Sequence, residues 1–259
     1  DVRVIRIAPA DFNHGLTRNL AAMQARGKLL IMTVQDAAPL NEHWLESMVK
    51  NFDDDQVAGV FCRQIPREDA DVLTKRNLNG WVTARSEKDI HRLNDRSHYD
   101  SLSPMDKYLF CVFDDVCSCI RKSVWQQFPF PKTQFAEDLY FSRNALFAGL
   151  KIVYAPEAGV VHSHNRSSLY EFKRTYICHR KLNELFGLQT VPTMQHVLKF
   201  IWGNIVSDSR YVWNNEPNRL RALAMLFRIP FLSVASVYGQ YKGARDQVES
   251  RALESTVGV

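Results

Sequence analysis

Glu137 and Asp138 are adjacent carboxylates at the point where the turn residues Pro129, Pro131 and Lys132 give way to helical spacing, Leu139, Leu146, Phe147 and Leu150, closed by Gly149 and Lys151. Both fall in the first turn of a helix. The positive end of the helix dipole favours their ionised forms there, so at neutral pH either can accept a proton. Downstream, residues 151–154 and 159–161 read as two short strands separated by Pro156, and they deliver His162 and His164. Positions i and i+2 of an extended chain face the same side. A base candidate therefore shares one unit with two imidazoles able to bind a metal or a phosphate. Taken singly, each feature also fits a plainer reading, a capped helix and two surface histidines.

The elements that must position these groups begin upstream. Residues 1–64 read as strand, helix, strand, helix, strand: an opening run 2–7, a helix capped by Thr17 and ended by Gly27, an apolar run 29–34, a helix capped by Asn41, and a strand 57–62. This is a doubly repeated βαβ pattern. Parallel strands joined by right-handed crossovers present their carboxyl ends on one edge, where open α/β sheets bind ligands. At that edge stand His14-Gly15, Gln35-Asp36 and Arg63-Gln64. An acid, an imidazole, Arg18, Arg63 and backbone amides together suit a diphosphate, bound directly or through a divalent cation, while each alone also reads as an ordinary turn or strand end.

Residues 65–110 are polar and irregular, which marks a functional or mobile loop. A strand is expected over 109–113. Asp114-Asp115 then reads either as metal ligands or as a solvated turn, and residues 117–120 lead into a short helix from Arg121. A helix rich in aromatics and bases runs from Tyr170 to Phe186. Residues 192–239 are helical in pattern, broken at Pro217 and Pro230. Their Arg219, Arg221 and Arg228, beside Leu223, Leu226, Phe231 and Leu232, fit either a helical appendage packed on the sheet or an interfacial membrane helix. The segment 223–238, interrupted by Arg228 and Pro230, falls short of the ~20 clean apolar residues of a membrane span. The divisions expected are 1–186, 187–242 and a disordered tail 243–259.

With 46% hydrophobic and 24% charged residues among 259, the chain can bury a sizeable core. Its net charge of +5 is too small for nucleic-acid wrapping, and no basic run is interleaved with aromatics; it is compatible with an anionic ligand or a membrane face. The five cysteines are scattered without a CxxC pair, which fits reduced thiols in a cytoplasmic-facing protein. Cys117 and Cys119 read as small buried strand residues, not as metal ligands. The chain opens on Asp1 without an initiator Met, as a processed or truncated polypeptide does.

In order, Phe12-Asn13-His14-Gly15-Leu16-Thr17-Arg18-Asn19, Val34-Gln35-Asp36-Ala37-Ala38-Pro39, Arg63-Gln64-Ile65-Pro66-Arg67, Phe135-Ala136-Glu137-Asp138 and Val161-His162-Ser163-His164-Asn165 resemble the motifs of bacterial family-2 glycosyltransferases. The nearest resemblance is to the rhamnosyltransferase-like group that builds cell-surface polysaccharides, over about residues 5 to 185. It implies a GT-A-like (Rossmann-like) α/β fold, a mixed sheet flanked by helices with a helical carboxyl-terminal region. It further implies inverting transfer of a sugar, rhamnose in that group, from a nucleotide diphosphate sugar to a saccharide or lipid-linked acceptor, in the cytoplasm or peripheral to the inner face of the plasma membrane. Asp138, with Glu137 beside it, would be the general base; Asp36, His162 and His164 would hold Mg2+ or Mn2+; His14, Arg18, Asn19, Gln35, Arg63 and Gln64 would bind the donor. Two departures stand out. The usual Asp-x-Asp is Val34-Gln35-Asp36 here, and the strand and Asp-containing turn with which such enzymes begin would lie before Asp1, leaving the nucleotide-binding segment incomplete. The other classes the residues fit are a non-catalytic sugar-nucleotide-binding or membrane scaffold subunit and a metal-dependent phosphoesterase using Asp36, Asp138, His162 and His164.

Overall fold

A computed structural model of the chain describes residues 2–246. Its elements are α1 (His14–Gln24), β1 (Leu29–Thr33), β2 (Ala38–Pro39), α2 (Trp44–Val49), β3 (Val57–Ile65), α3 (Val72–Asn79), β4 (Asp89–Arg92), α4 (Arg96–Ser101), α5 (Pro104–Phe110), β5 (Cys117–Arg121), α6 (Lys122–Gln127), α7 (Glu137–Phe147), β6 (Lys151–Val161), α8 (Ser168–Phe186), α9 (Met194–Asn215) and α10 (Arg219–Gly243). They form two compact units. One comprises residues 2–65 together with Asn79–His162; the other comprises Pro66–Leu78 and residues 163–246.

The first unit is built on a six-stranded mixed sheet in the order β1-β5-β3-β6-β2, with β4 paired to β6. The expectation of a mixed sheet flanked by helices is met, but the expected run of parallel βαβ repeats is not. β3 and β6 are parallel, whereas β5 runs antiparallel between β1 and β3. β3 is buried along most of its length and needs a partner on each edge. The short, buried β5, with its small Cys117, Ser118 and Cys119, supplies the second one. The expected opening strand over 2–7 does not form: Val2 and Val4 are 93% and 73% exposed, and that alternating Val/Arg run has no strand to pair with.

The two strands expected around Pro156 are one continuous β6, paired to β3 with a register irregularity between Cys62 and Gln64 that accommodates the proline. The strand expected over 109–113 is instead the end of α5 and the coil after it. Ser103 caps α5 through its hydroxyl, which accepts from the Asp106 amide, and Pro104 occupies the first turn. α1 is capped by Asn13, not Thr17, and Asn41 makes an Asx-turn to the His43 amide. On one face of the sheet, Met48 and Phe52 pack against Val60, Cys62, Val153 and Ala155. None of the five cysteines forms a disulfide among the described residues.

In the second unit α8, α9 and α10 pack on one another, and Leu73 of α3 joins Val212, Ala222, Met225 and Ile229. A Cβ on Gly239 would stand 2.2 Å from the Thr175 hydroxyl, and one on Gly243 2.1 Å from the Tyr176 carbonyl, so glycine lets α10 lie directly on α8. The helix break expected at Pro217 occurs. The one expected at Pro230 does not, and α10 runs through it for 25 residues. Of the tail expected from 243, Gly243 closes α10, the Tyr176 hydroxyl donates to Asp246 at 2.8 Å, and residues 247–259 lie outside the described residues.

Candidate active site

The site assembles because α1 is tied to the segment that leads into α7. Asn13 accepts from the Thr133 amide as well as from Leu16, and a Cβ on Gly15 would fall 1.8 Å from the Pro131 carbonyl oxygen. Asn19 accepts from the Trp125 indole and the Phe130 amide and donates to the Phe130 carbonyl at 2.8 Å. Its amide is spent on holding this turn. About one and a half helical turns from Asn13, Arg18 is therefore delivered to the start of α7.

There Arg18 Nε donates to Glu137 Oε1 at 2.8 Å and stands 3.4 Å from Asp115 Oδ2. His14 Nδ1 is 3.8 Å from the same Glu137 oxygen. Asp138 receives the Leu139 amide at 2.7 Å and the Asp115 amide at 3.4 Å. Asp115 also accepts from the Ser118 hydroxyl at 2.5 Å. Glu137 and Asp115 are buried, Asp114 and Asp138 half-buried. Four carboxylates thus crowd around one guanidinium. Burial would lower the Arg18 pKa, but Asp115 and then Glu137 prevail and raise it.

The same crowding decides the acids. Burial first, then the charges of Glu137, Asp115 and Asp114, hold Asp138 well above the usual carboxylate range. Asp115 is pushed up to about 6, chiefly by burial, and Asp114 is raised for the same reason. The expectation that the helix dipole keeps Asp138 ionised is thereby reversed: desolvation and like charge outweigh a terminal dipole worth about 0.3–1 kcal/mol. Burial lowers the pKa of His14 against the opposing pull of Glu137. Ala136, which caps α7, is buried and left-handed at φ 68°; it is the only such non-glycine residue described. This costly backbone turn aims the two carboxylates.

A second group forms at the end of β6. The antiparallel register Ala38 to Val161 brings the turn before β2 alongside the residue after β6, setting His162 Nε2 3.6 Å from Asp36 Oδ1. His162 Nδ1 meets Gln64 Oε1 at 3.4 Å, and the Gln64 amide donates to Asp114 Oδ2 in a short hydrogen bond. That chain fixes polarity. With its NH2 on a carboxylate, Gln64 presents oxygen to His162, so the neutral imidazole carries its proton on Nδ1 and turns the Nε2 lone pair toward Asp36. Two acceptors facing one another across 3.6 Å fit a shared cation. His164 follows two residues later, exposed, in the second unit.

Of the remaining predicted residues, Gln35 is exposed in the turn before Asp36. Arg63 alternates with Gln64 on β3; its Nε is buried without a hydrogen-bond partner, and its charge acts on the Tyr154 hydroxyl. The acids that sequence reasoning left open between ligand and solvated turn, Asp114 and Asp115, are members of the cluster. The signal was present in Phe113 and Val116-Cys117, apolar residues that enclose the acid pair.

No protein-family model matches the chain. It is 36% identical over 180 residues to the O-antigen chain rhamnosyltransferase WbaN of Salmonella anatum, covering 67% of this chain and 53% of that protein. It is 33% identical over 183 residues to the O-antigen chain rhamnosyltransferase RfbN of Salmonella typhimurium, covering 68% and 54%. The chain spans about half the length of these curated relatives. The mannosyltransferase PcManGT from Pyrobaculum calidifontis, solved in complex with GDP-Man and Mn2+, shares the fold with a TM-score of 0.50 at 14% identity, covering 89% of this chain and 65% of that one.

Proposed function

Because this chain is a homologue of the O-antigen chain rhamnosyltransferases, we propose that it acts in inverting, family-2 glycosyl transfer. It moves a sugar, rhamnose by the names of its relatives, from a nucleotide diphosphate sugar to a hydroxyl of a saccharide or lipid-linked acceptor, in the cytoplasm or at the inner face of the plasma membrane. The observation that carries this reading is the place of Asp138 in the first turn of α7, beside Glu137 and within hydrogen-bond reach of the Asp115 amide, where burial and like charge raise its pKa. Such a group is a stronger base than an ordinary aspartate once ionised. Asp138 takes the proton of the acceptor hydroxyl as that oxygen bonds to the anomeric carbon. The bond from carbon to diphosphate oxygen breaks on the opposite face, and its electron pair leaves with the diphosphate.

Asp36 and His162 would hold Mg2+ or Mn2+. When bound, the ion supplies positive charge against the leaving diphosphate. Gln64 orients His162, and Arg63, whose Nε is buried without a hydrogen-bond partner, is assigned to the donor sugar. His14 and Gln35 line the donor side. Arg18 holds Glu137 in place, and Asn19 holds the turn that positions α1.

Calorimetric titration with UDP and dTDP, with and without Mn2+ or Mg2+, followed by transfer assays, tests the reading. Metal-dependent nucleotide binding and turnover that needs an acceptor are expected. Equal turnover with water alone would mean a phosphoesterase, and binding without turnover a scaffold.

A further inference from the structure

We infer that α10 is a docking surface for an anionic lipid bilayer. Leu220, Leu223, Phe227, Phe231, Val234 and Tyr238 recur every third or fourth residue and are 79, 55, 75, 56, 48 and 40% exposed. At 3.6 residues per turn they fall in one arc about 80° wide and about 27 Å long. This is far more contiguous apolar surface than scattered exposed residues leave. Beside the stripe, Leu169 and Phe172 of α8 line an apolar groove with Phe231 and Tyr238.

Charge selects the occupant. α10 carries Arg219, Arg221, Arg228 and Lys242 and not one Asp or Glu. Arg219, Arg221 and Arg228 are exposed and flank the stripe on either side. Arg219 stacks over Trp213 at 4.8 Å, a pairing suited to the headgroup level. A second copy docking through the same face would set these like charges against one another. Phospholipid headgroups neutralise them.

The helix lies on the bilayer and does not cross it. By length and composition α10 alone among the described helices could span a membrane. Its other side, however, packs through Ala222, Met225 and Ile229 against Val212 of α9, and through Gly239 and Gly243 against α8, which carries Glu171, Lys173, Arg174 and Lys181. A spanning α10 would drag those charges into hydrocarbon.

This inference deepens the reading of a lipid-linked acceptor, but its test needs no turnover and fails separately from it. The whole chain is floated with vesicles of phosphatidylethanolamine and phosphatidylglycerol, and with pure phosphatidylcholine, at low and high salt. Salt-sensitive binding to the anionic vesicles is expected. Phe227→Ser with Phe231→Ser should weaken it at least about tenfold. Replacing Arg219, Arg221 and Arg228 by Gln should weaken it about a hundredfold and erase the preference for phosphatidylglycerol. Circular dichroism and the thermal midpoint of each variant confirm that it is folded. Absence of binding to anionic vesicles, or binding unchanged by folded variants, overturns the inference. So does sedimentation showing a dimer that the Phe227 and Phe231 substitutions dissolve.

Discussion

Around Arg18 the first unit draws Asp114, Asp115, Glu137 and Asp138 wholly or partly out of water, whereas α10 of the second unit leaves six large apolar side chains in it. The two regions depart from the usual partition of charge and hydrocarbon in opposite directions. In the first, desolvation opposes ionisation, and the energy stored there is chemical: an aspartate that, once ionised, takes back a proton more readily than one in water. In the second, exposed hydrocarbon opposes water, and the stored energy is adhesive. On the proposed readings the first would act on bonds and the second on location, so substitutions in the first should move rates, pH profiles and stability, and those in the second partition.

The strongest blow to this division is Asp138→Asn. It keeps shape and removes the base, and transfer should fall about a thousandfold with donor affinity nearly unchanged, read by acceptor-dependent turnover beside calorimetry. Wild-type turnover would remove Asp138 from the role. Next, Arg18→Met leaves Glu137 and Asp115 without their cation, and denaturant titration should show a loss of about 3 kcal/mol, partly restored by adding Glu137→Gln. A loss under about 0.5 kcal/mol would mean that the cluster tolerates its charge unaided.

Smaller effects sharpen the picture. Gln64→Leu removes the oxygen that holds the His162 Nδ1 proton, and Mn2+ affinity followed by electron paramagnetic resonance should drop about tenfold in the absence of any substrate. Equal affinity would mean that His162 orients itself. Last, Asp115→Asn removes one of the charges that raise Asp138. Because the base works deprotonated, the rate climbs as pH passes its pKa, and the acid limb should move to lower pH. Stability gives a second readout. The folded pKa of Asp115, about 6, lies above the unfolded value of about 3.9. Its contribution therefore favours the fold at low pH and is lost as pH rises from about 4 to about 6. Asp115→Asn should flatten that decline.

The sequence made some of this legible. Prolines before Glu137 and glycine after Leu146 bracket α7 correctly, and the apolar runs 29–34 and 57–62 lie in strands because buried strands need little context. Long-range pairing was not legible. Nothing local in Cys117–Arg121 says that it inserts between β1 and β3, and the joining of two predicted strands into β6 depends on the irregularity opposite Pro156. Local chemistry was missed where it lay in single residues, such as the Ser103-Pro104 cap that makes 104–110 helical. For the site, residue type marked Asp36, Asp138 and His162. The opposed pulls on Asp138, and the polarity set by Gln64 and Asp114, arise only when segments distant in sequence meet.

The place of β5 has a consequence in time. β3 ends at Ile65, but its two neighbours begin at Cys117 and Lys151. On the ribosome, β1 and β3 emerge first and wait with bare edges while the intervening residues are made. An apolar strand left open in that interval is the segment a chaperone would grip or a second nascent chain would pair with. Until Lys151–Val161 has emerged, the strand at the centre of this sheet is the part of the chain most exposed to error.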